Sequence, residues 1–185
     1  MDIENYHILQ IAKGDKLAFK KLYELYLNKV YATTMHYLQN IEDSQEVTQD
    51  IFVKIFKNAH TFKGNSTVST WIYRIAVNTS LNYLKTRNKK PFLFSFENLK
   101  YEFPDFEHPG ILEENKEMAK LMYTAINSLP DSQKTAFILG FIDEKPRQEI
   151  SDIMEISLKA VESLLQRAKQ NLRKKLHQLN PNRRN

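Results

Sequence analysis

The chain has 185 residues, 42% hydrophobic and 26% charged, a globular balance that excludes wholesale disorder. It has no cysteine, which excludes disulfides and thiol chemistry, and no apolar run near the roughly 18 residues a membrane span needs. Four glycines and six prolines leave few turn residues for hairpins, so an all-α chain is favoured, and the net charge of +5 says less than its distribution.

Residues 2–13 read as a short helix with Ile3, Tyr6, Ile8, Leu9 and Ala12 apolar. The opening MDIENYHILQIAKGDK is acidic and lacks a small-residue cleavage site, so it does not read as a signal peptide. Gly14 stops this helix and Asp15 caps the next, about 16–38, whose stripe is Phe19, Leu22, Tyr23, Tyr26, Val30 and Tyr37. A capping turn at 40–43 leads to a third helix over about 43–60, with Val47, Ile51, Phe52, Ile55 and Phe56 apolar. Its acidic first half, Glu42, Asp43, Glu46 and Asp50, suits the positive end of a helix dipole.

The stretch 63–90, KGNSTVSTWIYRIAVNTSLNYLKTRNKK, holds six cations and no acid. Val68, Trp71, Ile72, Ile75 and Ala76 commit one face to a core, while Arg74, Asn78, Asn82 and Lys85 offer the other to a polyanion. The loop from Phe62 through Lys63, Gly64, Asn65 and Ser66 has two readings. It is either a plain connection beside a core Trp71 or a pocket in which an unstacked base meets an aromatic ring and polar groups.

From Pro91 to Met118 seven acids face two lysines, and over 91–110 three prolines interrupt any helix while aromatic residues crowd in, an acidic aromatic linker. Phe92–Phe96 alternates as a brief strand would. A second module starts near 113. Met118, Leu121, Met122, Ala125, Ile126 and Leu129 keep helical rhythm, Pro130 opens the next helix, and Phe137, Ile138, Phe141 and Ile142 continue the core. After a turn at 143–146 come a short helix over 147–154, a break at Glu155-Ile156, and a long helix from Ser157 to about 176 that buries Val161, Leu164, Leu165, Ala168 and Leu172. From Ser157 onward there are eight cations and one acid, Glu162. Two helices joined by so short a break describe a helix-turn-helix, with Leu158, Lys159, Glu162, Ser163, Gln166 and Arg167 toward a major groove. The bland alternative is an amphipathic helix with a solvated basic face.

The fold expected is therefore all-α: two small helical domains, 1–90 and 113–180, joined by a flexible linker over 91–112. No catalytic constellation, metal spacing or cofactor motif is visible, since the five histidines are scattered and no glycine-rich phosphate loop exists.

Together the halves resemble the extracytoplasmic-function sigma factors, the two-domain promoter-recognition subunits of bacterial RNA polymerase. GDKLAFKKLYELYLNKVY is similar to the family's opening helices, and DSQEVTQDIFVKIFKNAHTFKGNSTVSTWIYRIAVNTSLNYLKTR to its core-binding and −10 segment. LPDSQKTAFIL, QEISDIMEIS and AVESLLQRAKQNLRKKL resemble its −35 domain. TWIYRIAVN and AVESLLQRAK at this separation are highly specific. The resemblance implies that Gln49, Asp50, Phe52 and Lys54 dock on the clamp of the largest polymerase subunit. Phe62, Lys63, Asn65 and Ser66 would hold a flipped −10 base, Arg74 and Asn78 would face melted strand, and Lys85 and Arg87 duplex phosphate. Ser157, Lys159, Glu162, Ser163 and Arg167 would read the −35 element, with Arg147 and Gln148 on phosphate. It further implies contact with the flap of the second-largest subunit, a linker mimicking nucleic acid in the RNA path, a cytoplasmic location without membrane insertion, and leaves an anti-sigma partner open. Two positions depart from the family pattern: Pro146 replaces a small hydroxyl residue, and Glu155 a glycine or asparagine. A stand-alone helix-turn-helix regulator, or an adaptor binding proteins through its helices, are the competing readings.

Overall fold

The computed structural model describes residues 2–87 and 109–179, with backbone alone over 109–117. Every element among the described residues is helical, and the chain divides into two compact units. The 92–96 strand expectation, Lys89, Lys90 and most of the linker lie outside the described residues.

The first unit is a bundle of four helices: α1 (Ile3–Ile11), α2 (Lys16–Leu38), α3 (Ile41–Asn58) and α4 (Val68–Arg87). Side-chain caps set its boundaries. Asp15 Oδ1 accepts from the Leu17 and Ala18 amides at 2.8 and 3.1 Å, and Asn40 Oδ1 accepts from the Asp43 amide at 2.9 Å. Thr67 Oγ1 accepts from the Thr70 amide at 3.0 Å and so opens α4. Helix α3 ends in a 3-10 turn over Ala59–Thr61. The core is the expected stripe, with Leu22, Tyr26, Val30, Val47, Ile51, Ile55, Ile72 and Ala76 all buried.

Helix α1 departs from its expected face. His7, Ile8 and Ile11 are buried, whereas Ile3, Tyr6 and Leu9 are exposed. At 100° per residue the two sets lie on neighbouring faces, and only one can meet the bundle. Trp71 also departs from a full core role: it is half-buried, its ring edge-on to Phe62 at 5.8 Å.

The second unit contains α5 (Pro109–Asn127), α6 (Asp131–Phe137), α7 (Arg147–Met154) and α8 (Leu158–Leu179). Helix α5 begins earlier than 113, and Pro130 stands immediately before α6 as expected. Ala125, Ile126, Leu129, Ile138, Leu139, Ile150, Val161, Leu165, Ala168 and Leu172 form the core.

Phe141 is not part of that core. Helix α6 runs into a π turn over Ile138–Ile142, where the Asp143 amide donates to the Ile138 carbonyl at 2.9 Å. The wider i→i+5 turn displaces the following side chains from the α-helical stripe, so Ile138 stays inside while Phe141 is 41% exposed.

Candidate nucleic-acid interface

Between the 3-10 turn and α4 the chain passes through Gly64 at φ 74, a left-handed conformation that favours glycine. The loop thereby leaves Lys63 and Asn65 exposed and Ser66 half-buried, beside the half-buried Phe62–Trp71 pair. An aromatic pair bordered by amide, hydroxyl and ammonium groups has the chemistry to hold a base. One helical face continues from it, with Arg74 half-buried and Asn78 and Lys85 exposed.

Arg87 is held differently. It is ion-paired with Asp43 at the start of α3, and the Tyr83 hydroxyl donates to the same carboxylate at 2.7 Å. Burial lowers the Arg87 pKa, and burial with Glu46 nearby raises that of Tyr83. Asp43 is a residue whose part here the sequence does not reveal, since its position suggests only the capping turn and the helix dipole.

On α3, Gln49, Asp50 and Lys54 are exposed, and Lys54 Nζ donates to Thr79 Oγ1 of α4 at 3.1 Å. Phe52 is not on this surface. It is 3% exposed, its ring 4.6 Å from that of Tyr23 and 6.4 Å from that of Phe19. The apolar residue that does stand beside the polar ones is Val53, at 49% exposure. An apolar side chain off the buried stripe was the available signal.

In the second unit, Ser157 caps α8 through the Ala160 amide at 3.2 Å. Ser151 Oγ donates to the Ile156 carbonyl at 2.6 Å, and the Ile156 amide donates to the Ser151 carbonyl at 3.2 Å, which closes the turn before the long helix. Glu155 occupies a left-handed φ of 55, the conformation for which glycine or asparagine is suited. Ser157, Lys159, Glu162 and Arg167 are exposed along α8, Ser163 is half-buried, and Arg147 and Gln148 are exposed at the start of α7. This cationic face with one carboxylate has the donors and acceptors that read base edges and phosphate. A cleft of about 340 Å³ adjoins it, lined by Phe141, Arg147, Glu162, Leu165, Gln166 and Lys169.

Among the described residues no cluster of three or more His, Cys, Asp or Glu could hold a metal ion, and no helix is long and apolar enough to cross a membrane.

Residues 22–90 match the family model for sigma-70 region 2, and residues 119–172 match that for sigma-70 region 4. The ECF RNA polymerase sigma factor SigW of Bacillus subtilis is 30% identical over 182 residues, covering 93% of this chain and 96% of its own. The fold is that of CnrH, solved in complex with the cytosolic domain of CnrY, at TM-score 0.66 and 19% identity over 92% of this chain and 95% of that one. It is also that of the sigma factor RpoE, solved with the anti-sigma factor NepR from Bartonella quintana, at TM-score 0.64 and 18% identity over 85% and 96%. The chain belongs to the extracytoplasmic-function family of RNA polymerase sigma factors, with region 2 in its first helical unit and region 4 in its second.

Proposed function

We propose that this alternative sigma factor works through the division of labour that its surfaces allow. The exposed Gln49, Asp50, Val53 and Lys54 of α3 dock on the clamp of the largest polymerase subunit, with Phe52 supporting the helix from inside. The Phe62–Trp71 pair with Lys63, Asn65 and Ser66 holds a −10 base, and Arg74 and Asn78 follow the melted strand. Lys85 meets duplex phosphate. Ser157, Lys159, Glu162, Ser163 and Arg167 read the −35 element while Arg147 and Gln148 anchor phosphate, and the second unit meets the flap of the second-largest subunit. The domain boundaries proposed are 1–90 and 113–180 with 91–112 between them, and the first turn of α5, from Pro109, takes up the end of that linker.

The observation that carries this reading is the pairing, in one chain, of region 2 with region 4. A stand-alone regulator needs α8 but has no use for the polar α3 face. The chain itself is not an enzyme, since bond making belongs to the polymerase, and it acts where that polymerase acts, in the cytoplasm. RpoE, which shares its fold, was solved with an anti-sigma factor, and a partner of that class would suit this chain too.

Run-off transcription tests the proposal. Core polymerase with the purified chain should initiate at a discrete promoter, and core alone should not. Tight DNA binding that core leaves unaltered, with no specific transcript, would refute it and favour the stand-alone regulator.

A further inference from the structure

Phe141 has the spacing of a core residue and the placement of a surface one. The π turn sends it outward, where its ring lies 5.0 Å from that of Phe137, and Lys169 Nζ sits over it at 4.4 Å. The ring is 41% exposed, and π turns occur often at functional sites. The cleft it lines is shared with Glu162 and Gln166 of α8, and its cations are Arg147 and Lys169.

Those neighbours define an occupant. Gln166 offers the amide that pairs bidentately with adenine N6 and N7, and Glu162 a carboxylate that accepts from an exocyclic amine. The apolar counterpart in a major groove is the thymine 5-methyl group, which phenylalanine contacts directly. An A·T pair presents both features on one edge. Arg147 and Lys169 bring positive charge to the phosphates that flank it, and the cation on the Phe141 ring holds that ring in place.

We infer that Phe141 is a specificity-determining residue, which selects a thymine methyl in the −35 element while Gln166 engages the adenine of the same pair. The inference rests on the proposed −35 role of α8 and adds a base identity to it. Burying one methyl corresponds to about 4-fold in affinity, or about 0.8 kcal/mol.

The test uses the full chain with core polymerase and −35 duplexes selected from a randomised library. In the preferred duplex each thymine is replaced in turn by deoxyuridine, which deletes the methyl group and nothing else. At one position the wild-type protein should bind about 4-fold more weakly. Phe141→Ala should bind the two duplexes alike, and Phe141→Leu should restore part of the difference. Selection of a duplex without thymine, or equal binding of thymine and deoxyuridine at every position, overturns the inference and leaves the sigma factor reading standing. A Phe141→Ala loss equal on all duplexes and absent without core assigns the cleft to a polymerase subunit, and overturns it as well. Failure to select any duplex removes the −35 role of α8 and the inference together.

Discussion

The guanidinium of Arg87, near the end of α4, is ion-paired with the carboxylate of Asp43 in the first turn of α3. The pair is largely buried, at 22% and 15% side-chain exposure, and Tyr83 donates a 2.7 Å hydrogen bond to the same carboxylate. It fastens the helix proposed to face DNA to the helix proposed to face the polymerase, and neutralises a cation that its sequence position would give to DNA.

Arg87→Gln should therefore act on stability more than on DNA affinity. Removing one member of a hydrogen-bonded charged pair should cost about 1–3 kcal/mol in urea unfolding. The salt slope of promoter binding should hardly move, whereas Lys85→Gln, at an exposed position, should reduce it by about one phosphate contact. A drop of similar size for Arg87→Gln would show that the arginine leaves Asp43 for phosphate.

Asn78 is exposed on α4, one turn beyond Arg74, where its amide can meet a base edge or backbone of melted strand. Asn78→Ala should slow promoter opening, followed by permanganate reactivity of unpaired thymines, with binding of an isolated −35 duplex unaltered. Parallel loss of both would contradict the separation of roles.

Glu144 holds a left-handed φ of 50 after the π turn. That conformation costs a side-chain-bearing residue roughly 1–2 kcal/mol, part of which glycine loses again to its freer unfolded chain. Glu144→Gly should stabilise the chain by about 0.5–1 kcal/mol in thermal unfolding, and a lowered melting temperature would mean that its side chain contributes more than the strain costs.

Alkaline pH should weaken the first unit. Burial, with Glu4 beside it, pushes the Tyr26 phenol well above its ordinary value, so the folded state keeps a proton that the unfolded chain releases above about pH 10. The contribution is complete below that pH and is lost as pH rises toward the folded value, at up to about 1.4 kcal/mol per pH unit. Denaturant titrations between pH 9 and 12 should show this decline, and Tyr26→Phe should flatten it.

Much of this molecule is legible in its residues. The caps Asp15, Asn40 and Ser157 contact the first-turn amides of their helices, and Val161, Leu165, Ala168 and Leu172 of the expected α8 stripe are buried, with Leu164 half-buried beside them. These are local matters, decided by hydrogen-bonding geometry within a few residues and by the 3.6-residue repeat. The family is legible for another reason: strings such as TWIYRIAVN combine core positions with surface chemistry in an order few folds would need.

The sequence by itself determined the helical class, the caps at Asp15, Asn40 and Ser157, a helical unit at each end of the chain, and membership of the sigma factor family. Only the tertiary structure decided which side of several helices is covered. It turned Phe52 inward and left Val53 outside, buried His7 in place of Tyr6, and gave Arg87 to Asp43. It also carried Phe141 out through a π turn that no periodicity announces. The physical reason is that helical spacing says which residues share a face, while burial of that face depends on partners brought together only when the whole unit packs.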